Sequence, residues 1–453
     1  DQYSMSNVIS ISGSSGVGKT TLAKFIQLVL GSDEVVHLCG DDLHRWQRGD
    51  SNWDSYTHLD PSANNLEKGY ADLLSMRKGE SIKRKRYNHL TGTFDPEKHI
   101  ESKHHIVNEG LHALLDNFSD MTDISIFVET SEDLKRQWKI SRDTQKRGYT
   151  TSQVENVLKR RELDEIKWIT PQKENADAVV WFDEKNKTVQ MKYEAYTKES
   201  EVLLKKVKKF YDLHRNFLVL CRKVSLEYDL VQHGGGNVSY KIDDKIVITS
   251  SGINMGEVGL FDGFSLCSNK GKLFTESNPS MELEMHLKIP YDVVLHTHPI
   301  YLNIILCAEN SQKIISEILH EYDYDYISYH TPGKALGKKI TGKKNIILLE
   351  NHGLVCSGSS FLEIFNQSTA INNLCKQWLI DHSLNFKVFF HDFKEHNNKY
   401  LFPDAAIVSK TESINNYMIH IQQEVGLVSR FLAVSEIDKL KNMKEEKYRM
   451  SVL

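Results

Sequence analysis

The sequence has 453 residues, enough for two or three domains of roughly 100–200 residues each. Its charged fraction of 26 % and hydrophobic fraction of 40 % exclude a collagen-like or largely disordered chain. Lys+Arg 57 against Asp+Glu 61 leaves a net charge of -4, which argues against wholesale nucleic-acid binding. No apolar run reaches the roughly 18 residues that would suggest a membrane-spanning helix. The 6 cysteines are scattered with no C-x-x-C pair and read as reduced, buried thiols. No basic-then-apolar leader is visible, so a cytoplasmic location is expected.

Residues 7–12 (NVISIS) form a short apolar strand that runs into Gly13-Ser-Ser-Gly16-Val-Gly18-Lys19-Thr20. This is G-x-x-x-x-G-K-[ST] between a strand and an amphipathic run, TLAKFIQLVL, which is the context the motif requires. Gly13, Gly16 and Gly18 let backbone N–H groups converge on phosphate oxygens, and the helix N-terminus adds partial positive charge. Lys19 supplies a mobile charge, while Thr20, followed by Thr21, brings a hydroxyl toward Mg²⁺. ATP and Mg²⁺ are therefore the expected cofactors. The next strand, VVHL, leads into Cys-Gly-Asp41-Asp42-Leu-His44-Arg45, and strand ends are where a parallel sheet places its site. Asp41 can orient or deprotonate an acceptor hydroxyl. Asp42 reads equally well as a helix N-cap. Glu109 ends the strand HIVNE and can serve the Mg²⁺ shell.

The basic tract at 83–86 (KRKR), with Arg84 and Arg86, is a candidate binder of a phosphorylated acceptor. HIVNEGL (105–111), ISIFVE (124–129) and AVVWFD (178–183) are further strands alternating with helical patterns, which predicts a parallel sheet covered by helices. EKNK (184–187) reads as a hairpin turn. From 198 to 224 the pattern is charged and helical, and it is read as a junction. The expected boundaries are 1–197, a helical connector at 198–209, and 210–453. A second Gly-rich loop, HGGGNVS (233–239), opens a domain of short strands, and a long helix is expected at about 360–380. The tail from LFPDAAIVS onward carries no functional element that the sequence identifies.

In VVLHTHP (293–299), His296 and His298 stand two apart at the end of an apolar strand and so share one face. His352 follows another strand, NIILLENH. Three neutral imidazoles with one open position describe a catalytic Zn²⁺ site. The nearby acid is Glu282, in NPSMELEMH, placed to take a proton next to a metal-bound carbonyl while the metal holds the enediolate. Glu284 is the competing base and faces elsewhere if the segment is a helix.

The first 190 or so residues resemble phosphoribulokinases of the bacterial type, within the uridine-kinase-like P-loop kinases. The matching stretches are GSSGVGKTT, GDDLHR, HLDPSANNLE, RKRYNHLTGTFDPE, NEGLHA, SRDTQKRGYTTSQV and PQKENAD. The resemblance implies that Asp41 is the catalytic base, that His44 contacts a sugar phosphate, and that Arg48 binds substrate. It also implies that Arg142 and Arg147 sit on a lid over phosphate, and that Glu109 is the acid of the NEGLH stretch. Asp42 replaces the motif's usual Ser and adds charge beside the base.

Residues from about 210 to 400 resemble the class II aldolase/adducin family through HGGGNVSYK, IVITSSG, NPSMELEMHLKIP, VVLHTHP, SYHTPG and LLENHGLV. The resemblance implies Zn²⁺ on His296, His298 and His352, with Glu282 as the catalytic acid/base. It implies a phosphate cradle of Asn237, Ser251, Gly252 and Ser280, and an acid at Tyr329 donated across a subunit interface. Met281 stands where the family's P-S-S-E motif has its second Ser, so a substrate phosphate is held differently or is absent.

Together the resemblances imply an α/β protein in two parts. One is a P-loop kinase domain with a parallel sheet and flanking helices. The other is an α/β class II aldolase-like domain with a mainly antiparallel sheet. The expected function is a bifunctional enzyme of carbohydrate metabolism that phosphorylates a small sugar or sugar phosphate and makes or breaks a carbon–carbon bond. A Zn²⁺-dependent pentulose-phosphate 4-epimerase, or a non-catalytic oligomerising second domain, are the alternatives. Small sugars or sugar phosphates are the expected partners, with neither nucleic acid nor membrane, in a homo-oligomer (dimer or tetramer).

Overall fold

The computed structural model describes residues 5–145, 148, 150–389 and 399–452. It divides into two compact units, Asp1–Asp212 and Leu213–Leu453.

The first unit is built on a six-stranded sheet. Its order is Thr188–Ala195, Ala178–Lys185, Ile124–Thr130, Asn7–Gly13, His105–Glu109 and Val35–Cys39. All neighbours are parallel except the first pair. The strand Asn7–Gly13 is buried along nearly its whole length, as expected when helices cover both faces of a parallel sheet. On one face Val8, Val36, Leu38 and Ile106 pack with Leu73 and Met76 of the helix Leu66–Arg77. A second cluster gathers Leu59, Leu111, Leu114, Phe127 and Ile169. The hairpin closes more tightly than the EKNK reading suggests. Lys185 pairs with Thr188, and only Asn186 and Lys187 turn, both at positive φ (53° and 63°). That is the two-residue turn whose twist matches the flanking strands.

The second unit is built on a seven-stranded sheet. Its order is Phe264–Ser268, Lys245–Thr249, Asn237–Ile242, Val293–Thr297, Gly353–Gly358, Ile346–Leu349 and Asp325–Ile327. All pairs are antiparallel except the last. His296 lies mid-sheet, opposite Asn237 on one neighbour and Val355 on the other. The helix Phe361–Asp381 packs on this sheet.

A single helix, Lys198–Ser225, contains the boundary between the units. Within the first unit, Phe210 and Tyr211 set their rings edge-on to Phe25. Within the second, His214 shares a 2.8 Å hydrogen bond with the Tyr240 hydroxyl.

The C-terminal tail is an integral part of the second unit. Asn351 donates to Leu401 O and to Arg430 O, both at 2.7 Å. Ala406, Ile407, Leu432, Ile437 and Leu440 form their own apolar cluster. The six cysteines are free thiols, five of them buried. Among the described residues no helix is long and apolar enough to cross a membrane.

Candidate functional site

The first site lies where the strands Asn7–Gly13, Val35–Cys39 and His105–Glu109 end together. Gly18 opens the helix Lys19–Leu30 at φ 102°. A Cβ there would stand 2.8 Å from the Phe182 ring and 3.1 Å from Trp138, so the loop requires glycine both for its backbone and for space. Gly16 is covered by Lys135 and Lys139 of the helix Glu132–Gln145. Lys139 also donates to Ser15 Oγ at 3.1 Å. Lys19 is buried and donates to Ser14 O at 2.7 Å, an internal partner for its ammonium.

Thr20 donates to Glu109 Oε1 at 3.2 Å, and Thr21 is half-buried in the same helical turn. Glu109 is also bonded to His37 Nε2 at 2.8 Å. Burial by itself would raise the Glu109 carboxyl, but His37 and then Lys19 outweigh it and leave it below its ordinary value. Glu109 is therefore an ionised carboxylate beside the Thr20 hydroxyl.

Asp41 faces two imidazoles. His89 Nε2 is 3.0 Å from Oδ2, and His44 Nε2 is 3.5 Å from Oδ1. His44 is buried and held from its other nitrogen by Asn64 Oδ1 at 2.7 Å. Burial lowers its basicity against the pull of Asp41, so it stands neutral near neutral pH with its one N–H directed at Asn64. Asp42 is not an N-cap. Its carboxylate accepts the Tyr87 N–H at 2.8 Å, and burial raises its pKa. A cleft of about 330 Å³ is lined by Asp41, His44, Asn64, Asn108, Glu109 and His112.

The basic residues need redistribution. Arg84 is buried, with Nε 3.0 Å from Asp72 and a guanidinium N–H on Cys39 O at 3.3 Å, so it is a structural cation rather than one presented to substrate. The reason is the two-residue period of the strand Ile82–Arg84, which turns Ile82 and Arg84 inward and Lys83 outward. Arg86 is exposed. Arg48 braces the neighbouring loop by donating to His89 O at 2.5 Å and Leu90 O at 3.3 Å. Arg142 belongs to the helix Glu132–Gln145, but its side chain, like Arg147 as a whole, lies outside the described residues.

The second site is centred on the sheet of the second unit. His296 Nε2 lies 3.2 Å from His352 Nε2 and 3.1 Å from His298 Nε2. All three rings are buried. Four nitrogens around a tetrahedral ion with bonds of about 2.05 Å stand about 3.3 Å apart, so the observed spacing suits Zn²⁺. The outer nitrogens fix the tautomers. His296 Nδ1–H donates to Leu354 O at 3.0 Å, and His298 Nδ1 lies 3.1 Å from Asp404 Oδ2. Their Nε2 lone pairs are thereby aimed at one point, the arrangement of a histidine ligand supported from behind. Burial pushes His296 down to about 3, which keeps it neutral.

Glu282 reaches the same point, with Oε2 3.2 Å from His296 Nε2 and Oε1 3.1 Å from His352 Nε2. Burial alone would raise its carboxyl, but the two imidazoles and the Asn237 amide outweigh it and hold it well below the carboxylate range. Glu284 turns away, toward Gly337 of the short helix Lys334–Gly337.

Residues 8–189 match the phosphoribulokinase/uridine kinase family, and residues 215–379 match the class II aldolase and adducin N-terminal domain. The uridine kinase of Staphylococcus epidermidis is 30 % identical over 184 residues, 38 % of this chain and 86 % of that protein. The chain belongs to the phosphoribulokinase/uridine kinase family, with a class II aldolase/adducin domain fused to it. The phosphoribulokinase of Synechocystis sp. is 34 % identical over 174 residues, 38 % of this chain and 52 % of that protein. The chain thus spans about half the length of the phosphoribulokinases it matches. Among solved structures, the N-terminal class II aldolase domain of a conserved protein from Thermoplasma acidophilum aligns at 22 % identity and TM-score 0.33, covering 36 % of this chain and 92 % of that one.

Within the aldolase/adducin domain, two of the motif residues take positions that their motif does not reveal. Asn237 donates to Glu282 Oε2 at 2.8 Å and accepts from His286, whose other nitrogen bonds Ser239 Oγ at 2.6 Å. Asn237 therefore orients the acid and is not a free phosphate donor. The chain Ser239–His286–Asn237–Glu282 was not visible in the sequence, although Ser239 and Asn237 share a strand face by their spacing of two. Tyr329 does not join the histidines of its own chain. Its hydroxyl donates to Glu436 Oε1 at 2.8 Å, and burial with that carboxylate raises its pKa. Ser251, Gly252 and Ser280 do line the cleft of about 440 Å³ beside His298 and His352. So do Asp404, Glu446 and Arg449, all from the tail that the sequence left without a role.

Proposed function

We propose that this chain is a bifunctional enzyme of carbohydrate metabolism. The first unit transfers the γ-phosphoryl of ATP to a hydroxyl of a small sugar or sugar phosphate. The second makes or breaks a carbon–carbon bond beside a carbonyl. The observation that carries the reading is that each unit holds a carboxylate at a cleft: Asp41 with Glu109 in the first, and Glu282 next to three converging Nε2 atoms in the second.

In the kinase unit, Asp41 accepts the proton of the acceptor hydroxyl, and His89 holds its Oδ2 in place. Lys19 exchanges Ser14 O for a phosphate oxygen when nucleotide enters. Thr20 and Glu109 would hold Mg²⁺. In the second unit, His296, His298 and His352 would hold Zn²⁺ or a similar cation, which supplies a Lewis acid that polarises a carbonyl oxygen. Glu282 moves the proton on the substrate side, and Asn237 fixes its carboxylate through Oε2.

The test is metal analysis of the purified chain together with two assays, ATP-dependent ADP release and aldehyde release, across ketoses and their phosphates. Asp41→Asn is expected to lower phosphoryl transfer by about 10²–10⁴-fold and leave bound Zn²⁺ intact. His296→Ala is expected to lose Zn²⁺ and aldehyde release while ATP turnover persists. Loss of both activities in both variants, with the fold retained, would overturn the two-site reading. Interconversion of 4-epimers without free aldehyde would replace cleavage by epimerisation.

A further inference from the structure

The last helix of the tail, Lys444–Val452, is turned inside out. Its buried side chains are Glu446 and Arg449, while Tyr448, Met450 and Val452 are exposed. Burying charge and exposing apolar groups opposes the ordinary sorting of side chains, so the inward face has a purpose other than core packing. That face meets the cleft of the second site. A Cβ on Gly252 would stand 2.5 Å from Val452 Cγ2 and 3.5 Å from Arg449 Cγ. Glu446 and Arg449 line the cleft together with Ser251, Ser280, Glu282 and His352.

Glu446 is 0 % exposed, and among the described residues neither of its carboxylate oxygens has a hydrogen-bond partner. The nearest cation is Arg449, whose NH1 is 3.5 Å away and is bonded more closely to Asp404 Oδ1 at 2.6 Å. A buried acceptor without a donor is costly, so the group that belongs in front of it carries donors. A carboxyl oxygen accepts, and hydroxyl groups, which both donate and accept, suit it whether or not it carries a proton. A phosphate dianion only accepts, so it cannot supply the missing donors. Around this end of the cleft Arg449 is already balanced by Asp404, and Met281 contributes a thioether in place of a donor.

We propose that Glu446 and Arg449 form a recognition subsite that takes the hydroxyl-bearing end of an unphosphorylated polyhydroxy carbonyl compound and excludes its phosphate ester. This rests on the metal-dependent carbon–carbon reading of the second site and names its substrate class. It also leaves the product with a free hydroxyl, the group that the kinase unit would phosphorylate.

The test uses the full chain loaded with Zn²⁺ and two probes, glycolohydroxamate and phosphoglycolohydroxamate. Both chelate the cation through the same hydroxamate and differ by the phosphate alone. Calorimetry is expected to show the unphosphorylated probe binding the wild-type chain about tenfold tighter or more. In Glu446→Gln, which keeps the shape and puts an NH₂ donor in place of one acceptor oxygen, the ratio is expected to move by about tenfold or more toward the phosphorylated probe. Glu446→Ala serves as the second variant if the glutamine form melts early. Tighter wild-type binding of the phosphorylated probe, or an unchanged ratio in both variants, would overturn the subsite alone. If neither probe binds while Zn²⁺ remains at full occupancy, the metal-dependent reading falls and the subsite with it.

Discussion

Asp404→Asn tests whether the tail supports the metal ligands. Asp404 is buried, with one oxygen on His298 Nδ1 at 3.1 Å and the other on Arg449 NH1 at 2.6 Å. Burial alone would raise its carboxyl, but Arg449 and then His298 outweigh it and hold it well below the usual range, so it is an ionised acceptor for both donors. Asparagine offers one oxygen and one NH₂. If the oxygen stays on Arg449, the NH₂ faces His298 Nδ1 and favours the tautomer with the proton on Nε2, which cannot ligate. Loss of such a support weakens metal binding by about 10–100-fold, or about 1.4–2.7 kcal/mol. The same change strips the countercharge from buried Arg449 and destabilises the unit by about 3–5 kcal/mol. Arg449→Met separates the two effects, because it breaks that ion pair and keeps the contact of Asp404 with His298. Competition for Zn²⁺ against a chromophoric chelator, below the melting temperature of each variant, measures the affinity. The expected result is weakened binding in Asp404→Asn and near wild-type binding in Arg449→Met. Affinity within twofold of wild type in Asp404→Asn, or an equal loss in Arg449→Met, would refute the argument.

Two further outcomes follow from the same geometry. Burial pushes the Glu446 carboxyl from 4.5 up to about 7, with Arg449 opposing. Below the lower value both folded and unfolded states hold the proton; between the two values only the folded state does. Stability of the second unit is therefore expected to fall as pH rises from about 4.5 to about 7, by up to about 3 kcal/mol, and Glu446→Gln should flatten that slope in urea titrations. A slope that survives the substitution would assign it to another group. Gly18→Ala combines a positive φ with a Cβ 2.8 Å from the Phe182 ring. The expected cost is about 2–4 kcal/mol of stability in the first unit with weaker nucleotide binding, read by denaturant midpoint and ATP titration. An unchanged midpoint would show that the ring moves aside freely.

Legibility in the sequence tracked how local each feature is. The P-loop was readable because strand, glycines, lysine and helix are contiguous, so backbone geometry and chemistry come from one stretch of chain. His296 and His298 were readable because a strand repeats every two residues. Arg84 was misread for the converse reason. Within a basic tract the sequence does not say which alternate residue turns inward, and Ile82, paired with Ile100 and packed into the core cluster, decides it. Asn237 was found by motif, but its role was not. Its partner His286 lies in another element, and only the sheet and the helix Leu283–Lys288 bring them together.

The sequence by itself determined the two local motifs. A phosphate cradle requires small residues at fixed spacing, and a histidine pair requires strand periodicity. Both are local rules, written in a few adjacent letters. What only the tertiary structure decided is the environment of those groups. Asp404, Glu446 and Arg449 stand about 50 to 170 residues along the chain from the histidines and Glu282 that they surround. No local periodicity carries information across that distance. Burial of the apolar cluster around Leu432, Ile437 and Leu440 folds the tail back, and the desolvation that follows sets the charge and the hydrogen-bonding demand of its acids.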